Sequence, residues 1–444
     1  MTVTGLRTGS RSAPADALPP GPASGPVAQV LRWARSPLEL LDECRLRFGD
    51  AFTLRLAAAP PLVCLAHPDA VRDVLTADPD LLRAGETHGT IAPLLGDHSL
   101  LLLDGGRHVR DRRLMLPPFH ADRVHAYERT MCSVADRAID GWPTDRPFAL
   151  HAAMQGIALD VIMETVFGVD RPPALGRVRD LLIAVLALAG RPMRVGGARG
   201  PARRWREMIR LIVEIDGLLG AEIARRRAAG AGEGVLDLLM AARDETGEGL
   251  DDRALRDELM TLLVAGHETT AIELAWLFHR VLGTPDLVAR LRAEARSRGA
   301  TAPELPLIDA AIKETLRLNP VFLLIGRRVR APVRVGGWDL PPGVVASPCI
   351  YLVHRHPDVW PEPTRFVPDR FLGARPTPYE YLPFGGGVRR CLGMAFSMQE
   401  MRIVAARVLE RTELAAVGVP GAPVRRGLTM APANGVAVAL VARD

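Results

Sequence analysis

The ten residues 384–393, FGGGVRRCLG, constrain this chain more than any other stretch of its sequence. Cys391 stands there among glycines, directly after Arg389 and Arg390 and before an apolar run with helical spacing. A thiolate is the metal-binding form of cysteine, and helix N-termini and neighbouring cations favour it. Glycines let backbone N–H groups turn toward the sulfur, and Gly393 lets a flat cofactor approach. The pattern indicates a metal-binding cysteine, although a buried structural cysteine beside an anion-binding glycine loop would contain the same elements.

The composition limits the kind of protein that surrounds this loop. With 444 residues, 48% of them hydrophobic, the chain can bury a large core. Its five cysteines are odd in number and widely spaced, which argues against a disulfide framework and a zinc ribbon. No apolar signal segment or membrane-spanning run is evident, so a reduced, cytoplasmic protein is expected. The net charge is +5, Lys313 is the only lysine, and no basic run alternates with aromatics, so nucleic-acid binding is not expected.

The order of the segments predicts a mainly α-helical protein with small β-sheets. Residues 1–25 are polar and rich in Pro and Gly, which predicts a flexible leader before one large domain over 26–444. Residues 191–205 are predicted to form a loop between two helices. Gly-Gly at 336–337 and Asn-Gly at 434–435 stand between apolar runs, a pattern typical of hairpin turns.

The pattern Phe-Gly-x-Gly-x-Arg-x-Cys-x-Gly resembles the cysteine loop of the cytochrome P450 family, the haem-thiolate monooxygenases. The similarity to that family extends over about residues 20–444. It implies the cytochrome P450 fold, haem b (iron protoporphyrin IX) as cofactor, and Cys391 as the axial ligand of its iron. By the same resemblance, Phe384 shields the sulfur, Arg389 pairs with a haem propionate, and Gly393 leaves room for the haem.

A Glu-x-x-Arg pair gives a second point of similarity. Glu314 and Arg317 share one face of an apolar helix, and Arg370 follows in the sequence PDRF before the cysteine loop. In the family, such residues form a buried charge triad that supports this loop, so the resemblance implies that role for all three. Spacing alone is not specific, and solvated surface pairs are the interpretation of the other Glu-x-x-Arg matches, at 207–210, 222–225 and 362–365.

A polar cluster in the long apolar segment 262–278 gives a third point of similarity. Polar groups inside a buried helix are costly unless they function or reach water. One interpretation is threonine hydroxyls bonded to helix carbonyls at a capped break between two helices. The cluster resembles the oxygen-side helix of the family. The resemblance implies room over the iron at Ala265 and Gly266, and an acid–alcohol pair, Glu268 and Thr269, that relays protons to dioxygen.

The sequence GRHVRDRR, residues 106–113, places His108 and Arg112 at i and i+4. The plain interpretation is a charged helix face. By resemblance the two would hold haem propionates, as would Arg327, although many members have tryptophan where His108 stands.

The resemblance implies a monooxygenase that inserts one oxygen atom of O2 into a hydrophobic small molecule. The expected substrate is lipid-, terpene-, steroid- or polyketide-like, as in secondary metabolism, because the segments that contact substrates in the family are aliphatic here. These segments are 90–103, 263–265, 321–325 and 427–430.

Electrons are expected from NAD(P)H through a separate ferredoxin or flavodoxin and its reductase, and the protein is expected to be a monomer. The alternatives are a peroxide-driven hydroxylase or hydroperoxide isomerase on the same fold, and a haem-binding sensor or carrier without turnover. Peroxide-driven members of the family commonly lack the acid–alcohol pair, which is present here. The complete proton-relay motif also argues against a sensor or carrier without turnover.

Overall fold

The computed structural model describes residues 18–444 apart from 169–171, 191–200, 231, 374 and 419–420. It is 57% helical, and the prediction of a mainly α-helical single domain with small sheets is confirmed. The α-helices of the described part are α1 Pro26–Arg35, α2 Pro37–Phe48, α3 Pro68–Thr76, α4 Ala92–Leu95, α5 Gly105–Met115, α6 Ala121–Val124, α7 Glu128–Asp140, α8 Leu150–Phe167, α9 Pro173–Gly190, α10 Pro201–Ala229, α11 Val235–Ala241, α12 Asp252–Leu282, α13 Pro285–Arg298, α14 Pro306–Leu318, α15 Ile350–Val353, α16 Arg370–Gly373 and α17 Met394–Arg411. The strands are β1 Ala51–Leu54, β2 Leu62–Leu65, β3 Leu82–Arg83, β4 Phe148–Ala149, β5 Arg327–Val329, β6 Val333–Val335, β7 Trp338–Leu340, β8 Val345–Pro348, β9 Thr412–Ala416, β10 Pro423–Arg426, β11 Thr429–Pro432 and β12 Ala437–Arg443.

Local sequence explains where many of the helices begin. Helices α1, α2, α3, α13 and α14 each start with a proline. Proline suits this position because its φ is already helical and its missing N–H would have had no partner there. Helix α12 begins instead with an acidic cap, since the Asp251 carboxylate accepts a hydrogen bond from the Ala254 N–H at 2.7 Å.

Helices α8 and α12 form the centre of the protein. Helix α12 is unbroken over 31 residues and packs against α8, α10, α14 and α17, so the capped break considered for its polar cluster does not occur. Helix α8, Leu150–Phe167, is long and apolar enough to cross a membrane by composition, but 72% of it is buried inside the protein. An apolar helix enclosed on all sides is typical of a large protein core.

Four small sheets lie around the helices of the described part. The largest has the strand order β1-β2-β8-β5-β3, with β1 and β2 antiparallel and β2 and β8 parallel. Gly336 and Gly337 both have positive φ and turn β6 into β7, as the sequence predicted. The prediction of a hairpin turn at 434–435 is wrong. Strand β11 pairs with β10, whereas β12 pairs with β4 and β9, so Gly435 (φ +67°) passes the chain from one sheet to another.

Residues 18–25, which the sequence placed in the leader, pack against the domain. Leu18 is buried. The Pro19 carbonyl accepts a hydrogen bond from the Thr53 hydroxyl at 2.7 Å, and the Pro20 carbonyl accepts one from the Thr53 N–H at 2.9 Å. This segment therefore belongs to the folded domain.

Two of the predicted segments fall wholly or partly on residues that the structure does not describe. The rest of the leader, 1–17, lies outside the described residues. So does 191–200 of the predicted loop, whereas 201–205 belong to α10.

Candidate active site

The cysteine loop forms a tight turn that ends at the N-terminus of α17. Gly385 and Gly387 have φ of +67° and +62°, which glycine adopts without strain. The Cys391 N–H donates to the Phe384 carbonyl at 2.9 Å and closes the turn. The Gly393 carbonyl accepts from the Ser397 N–H at 2.8 Å in the first turn of α17. Phe384 is half-buried against the main core.

Two of the loop glycines are needed for packing. A Cβ on Gly386 would lie 2.6 Å from the Leu75 side chain, and one on Gly387 would lie 2.5 Å from the Leu75 carbonyl oxygen. Because they have no side chain, these glycines let the loop lie directly against α3. The sequence analysis did not predict this packing role. Gly393 differs, because no other atom lies within 4 Å of the position of its Cβ. The space beside Gly393 fits the flat cofactor that the resemblance implies.

The electrostatic surroundings of Cys391 differ from the sequence expectation. Although the Cys391 side chain is accessible, the many protein atoms around its sulfur desolvate the thiolate and raise the pKa of the thiol. The Gly393 N–H, Arg112 and Arg390 lower that pKa but do not offset the burial. The loop therefore does not by itself favour the thiolate. Cys391 is still the only exposed cysteine of the five, so it is accessible to a ligand.

Arg389 binds the segment before α5. Its guanidinium donates to the carbonyls of Leu100, at 3.1 Å, and Leu103, and it forms an ion pair with Asp104. The Asp104 carboxylate also accepts from the N–H groups of residues 84–86. Asp104 ties three segments together, and nothing in the local sequence indicated this role.

A cleft beside the cysteine loop brings three of the four residues predicted to hold the propionates together, whereas Arg112 does not line it. Asp104, His108, Arg327, Gly386 and Arg389 all line it. Arg327 is buried, and its burial and its proximity to Arg389 lower its pKa to about 10. Burial, with Arg389 and Arg112 nearby, lowers the pKa of His108 to about 4, so His108 is neutral at pH 7.

A further histidine, His88, belongs to the same cluster. Burial, Arg389 and Arg327 lower its pKa to about 4. The sequence interpretation missed it, because an isolated histidine in a loop carries no local signal. Asp104 is the one carboxylate found to act on this group of arginines and histidines. The excess of hydrogen-bond donors and positive charge fits a dianionic group such as the two haem propionates.

Ala265 and Gly266 face different ways on α12. Ala265 is exposed although it lies in the middle of a central helix. A Cβ on Gly266 would lie 3.4 Å from the Ile162 side chain of α8, so Gly266 faces the helix interface. Successive residues of a helix point about 100° apart, and only one of the two can face the open side. The expectation that both leave room over the iron is therefore corrected to Ala265 alone.

Two threonine hydroxyls follow on α12. The Thr269 hydroxyl donates to the Ala265 carbonyl at 2.7 Å, the i−4 bond that threonine often makes in helices. The Thr270 hydroxyl lies 3.1 Å from the Ser397 hydroxyl of α17. The second contact holds α12 against the helix that follows Cys391.

Glu268 points from α12 toward the start of α8. Its carboxylate accepts a hydrogen bond from Gln155 Nε2 at 2.5 Å, and His151 Nε2 lies 3.6 Å from the other carboxylate oxygen. Burial raises the pKa of Glu268, while Gln155 and Arg426 lower it by a smaller amount. The sequence interpretation found Glu268 but neither of its partners on α8. His267, the preceding residue, is buried.

Glu314, Arg317 and Arg370 form one hydrogen-bonded group. Arg317 donates to both Glu314 oxygens at 2.8 Å, and Arg370 donates to the same carboxylate at 3.0 Å. Glu314 and Arg317 are completely buried. Arg317 also donates to the carbonyls of His354, Pro363 and Arg365.

His354 connects this triad to the cysteine loop. Its carbonyl accepts from Arg317, and its Nε2 accepts from the Leu382 N–H at 2.9 Å, two residues before Phe384. The His354 ring stacks on Tyr381, whose hydroxyl donates to the Lys313 carbonyl of α14 at 3.0 Å. The triad and the segment that leads into the loop are thus joined by direct contacts.

Comparison with known proteins gives consistent similarities. The sequence model of the family described as cytochrome P450 matches residues 18–434. A protein named "Putative cytochrome P450 135B1" from Mycobacterium tuberculosis is 40% identical over 431 residues, which cover 95% of this chain and 91% of that protein. A second M. tuberculosis protein, "Putative cytochrome P450 137", is 37% identical over 88% of this chain and 83% of its own length.

Solved structures share the fold at lower sequence identity. The structure of retinoic acid bound cyanobacterial CYP120A1 has a TM-score of 0.84 with 22% identity, and the match covers 96% of this chain and 99% of that one. The structure of the cytochrome P450DA heme domain has a TM-score of 0.83 with 24% identity and covers 96% and 98%.

Proposed function

This chain belongs to the cytochrome P450 family of haem b monooxygenases, and we propose that it is an external monooxygenase with a hydrophobic substrate. It inserts one oxygen atom of O2 into a C–H or C=C bond of a lipid-, terpene-, steroid- or polyketide-like molecule. NAD(P)H supplies the electrons through a separate ferredoxin or flavodoxin and its reductase, and the protein works as a cytoplasmic monomer. The observation that carries the proposal is the Glu268–Thr269 pair on α12, next to the exposed Ala265.

Residues of the cysteine loop and the arginines and histidine near it are proposed to hold the haem. Cys391 would bind the iron, with Gly393 leaving space for the ring and Phe384 beside the sulfur. Arg112, Arg327 and Arg389 would neutralise the propionates. His108 would contribute a hydrogen bond without charge, because its pKa of about 4 leaves it neutral at pH 7. When bound, the haem supplies the iron that activates dioxygen, and the thiolate ligand favours O–O cleavage.

Thr269 and Glu268 are proposed to deliver the protons that the reaction consumes. The Thr269 hydroxyl proton is directed at the Ala265 carbonyl, so its oxygen lone pairs remain available to accept a hydrogen bond from the open side of the helix. Glu268 is half-buried, and its raised pKa brings it closer to neutral pH than an ordinary glutamate. A carboxyl group with such a pKa can give and regain a proton under working conditions.

Exposed apolar side chains support a hydrophobic substrate. Leu101, Phe322 and Leu428 are 37%, 37% and 52% exposed, and each belongs to a different predicted substrate-contacting segment. The Met430 N–H donates to the Val321 carbonyl at 2.9 Å, so two of these segments touch. Their apolar character suits a binding site for a hydrophobic molecule.

An optical ligand screen tests the proposal. The haem-loaded protein is titrated with fatty acids, terpenes, steroids and macrolide aglycones, and compounds that change the spin state of the iron are scored. Binding compounds are then incubated with NADPH, a generic ferredoxin and its reductase. We expect steady NADPH consumption with an oxygenated product. Turnover with hydrogen peroxide but not with NADPH would instead indicate the peroxide-driven alternative, and binding without turnover would indicate a sensor or carrier.

A further inference from the structure

The proposed monooxygenase mechanism does not by itself explain the contact between α8 and Glu268. His151 and Gln155 are one helical turn apart on α8, and both face the Glu268 carboxylate. His151 is only 2% exposed, and its Nε2 has no hydrogen-bond partner among the described residues. A buried polar atom without a partner is costly, and native proteins seldom leave one without a reason.

We propose that His151 and Gln155 are positioning residues for Glu268: Gln155 fixes the orientation of the carboxylate, and His151 exchanges protons with it. This inference rests on the proposed role of Glu268 as a proton donor. It places the entry of protons at the N-terminal end of α8, on a route that runs from His151 through Glu268 toward Thr269.

The position of His151 suits such a route. It is the second residue of α8, and Ala149, two residues earlier, is exposed. Its own N–H donates to the Gly435 carbonyl at 2.9 Å, which holds the start of α8 against the turn before β12. The ring is thus attached near the exposed start of α8, with one nitrogen 3.6 Å from Glu268. A small rotation of either side chain would close this distance to a hydrogen bond.

A neutral imidazole can carry a proton without changing its net charge. It gives the proton on Nε2 to the carboxylate while Nδ1 takes one from a hydronium ion, which leaves the ring in its other tautomer. After Glu268 has passed its proton on, the ring is reset by a rotation that turns the protonated nitrogen back toward Glu268. No bond other than N–H and O–H is made or broken, and no oxidant or reductant takes part.

Burial and the neighbouring charges shift the pKa values of both groups. Burial, Arg426 of β10 and His267 of α12 lower the pKa of His151 to about 4. Burial raises the pKa of Glu268, opposed by Gln155 and Arg426. Burial thus disfavours the charged form of both side chains.

His267 provides a matched control on the same helix interface. It is 4% exposed, has an unpartnered Nδ1, and has its pKa lowered to about 4 by burial, as His151 does. The charged groups that act on the pKa of His267 are Arg179, which lowers it, and Asp160, which raises it. Within the described part of the chain, His267 makes no hydrogen bond or ion pair with Glu268. It affects His151 only through charge, and with a pKa of about 4 it is neutral at pH 7. Replacing it with phenylalanine therefore alters the interface while the contacts of Glu268 with His151 and Gln155 stay in place.

The test follows the infrared band of the protonated Glu268 carboxyl group in the haem-loaded protein. The band is identified as the one lost in Glu268→Gln. Its isotope shift is then timed after rapid transfer into D2O. We expect His151→Phe to slow this exchange by at least about tenfold, since a positioned proton-transfer group ordinarily contributes more than that. His151→Gln keeps a polar contact but cannot shuttle a proton, so it should be as slow as His151→Phe, whereas His267→Phe should match the wild type.

Gln155→Leu tests the positioning role separately. Loss of a donor to the carboxylate should raise the pH at which the Glu268 band appears, and leave the exchange fast. Exchange as fast in both His151 variants as in the wild type would overturn the inference, and recovery in His151→Gln would reduce His151 to a hydrogen-bonding role. If Glu268→Gln left the coupling of oxygen use to product unchanged, the proposed role of Glu268 would fail instead, whatever the exchange showed.

Discussion

At the scale of single residues, Cys391 is the side chain whose replacement should give the clearest signal. A thiolate ligand gives the reduced carbon-monoxide complex a characteristic absorption band, so Cys391→Ser should lose that band. Cys132→Ser is the control, because Cys132 is half-buried, not fully buried, and lies in α7. The measurement is the reduced carbon-monoxide difference spectrum. Survival of the band in Cys391→Ser would contradict the assignment of the ligand.

Thr269 should affect the fate of oxygen more than binding. Thr269→Ala should keep haem and ligand binding, while oxygen is released as hydrogen peroxide, with product formation reduced by ~10²–10⁴, the usual contribution of a positioned acid–base group. Thr261→Ala is a matched control on the same helix, since its hydroxyl makes the same i−4 bond, to Asp257 at 2.8 Å. Peroxide and product are measured against NADPH consumed. Unchanged coupling in Thr269→Ala would favour proton delivery by water alone.

At the scale of elements, the triad should determine whether α14 and the cysteine loop stay joined. Glu314→Ala leaves two arginines without their buried carboxylate, a change that typically costs about 3–5 kcal/mol. We expect unstable protein with little haem, measured by haem content and urea unfolding. Glu362→Ala removes an exposed Glu-x-x-Arg pair, 58% and 67% exposed, and should change stability by no more than about 0.5 kcal/mol. A Glu314→Ala protein with normal haem content would refute this role.

The elements also show which features a sequence can predict. Proline helix starts and the Gly336–Gly337 turn depend on neighbouring residues, so local patterns suffice. The partners of Arg389 and Glu268 are 285 and 113 positions away, at Asp104 and Gln155, and no local pattern encodes them. Spacing also fails to predict burial.

The Glu-x-x-Arg match at 222–225 illustrates this failure. It was interpreted as a solvated surface pair. In the structure the Glu222 side chain is only 4% exposed and binds both Arg225 and Arg226. Burial depends on which other elements pack against the helix, and the spacing of two residues carries no information about that.

At the scale of the whole molecule, the face around the cysteine loop is where electrons are expected to enter. Arg390 is exposed and makes no ion pair within the described residues, whereas Arg110 and Arg113 of α5 pair with Asp244 and Glu245. Reduction by an acidic ferredoxin should therefore slow in Arg390→Glu at low salt, with ligand binding unchanged, and more than in Arg113→Glu. Stopped-flow reduction rates check this. They should also fall as the Debye length shrinks from ~10 Å at 0.1 M salt to ~3 Å at 1 M. A rate insensitive to both salt and Arg390→Glu would assign Arg390 a local packing role.

Buried histidines should make the folded protein sensitive to acid. His108, His151 and His267 have pKa values of about 4 and His354 of about 3, all lowered mainly by burial. The unfolded chain binds their protons near pH 6.5 and the folded chain does not. Their contribution to stability is thus complete above pH 6.5 and is lost as the pH falls toward 4.

His267→Phe should make this loss shallower by about 1.4 kcal/mol per pH unit between pH 6 and 4, as measured by urea unfolding at several pH values. The comparison with the wild type cancels the opposite effect of Glu258, Glu273 and Glu400. Their raised pKa values stabilise the fold at low pH, and that stabilisation is lost as the pH rises. Replacement of the exposed His120 is the control, and an equal slope in both variants would exclude the histidines as the cause.

The single lysine, whose carbonyl binds Tyr381 beside the triad, has a practical consequence for finding the electron carrier. Lys313 is half-buried on α14, so the folded domain offers amine-reactive crosslinkers almost no side-chain target. A capture experiment with such reagents would return nothing even from a tight complex. Dicarbonyl reagents directed at guanidinium groups, or a photoreactive amino acid placed at Arg390, would report the docked carrier where amine chemistry remains silent.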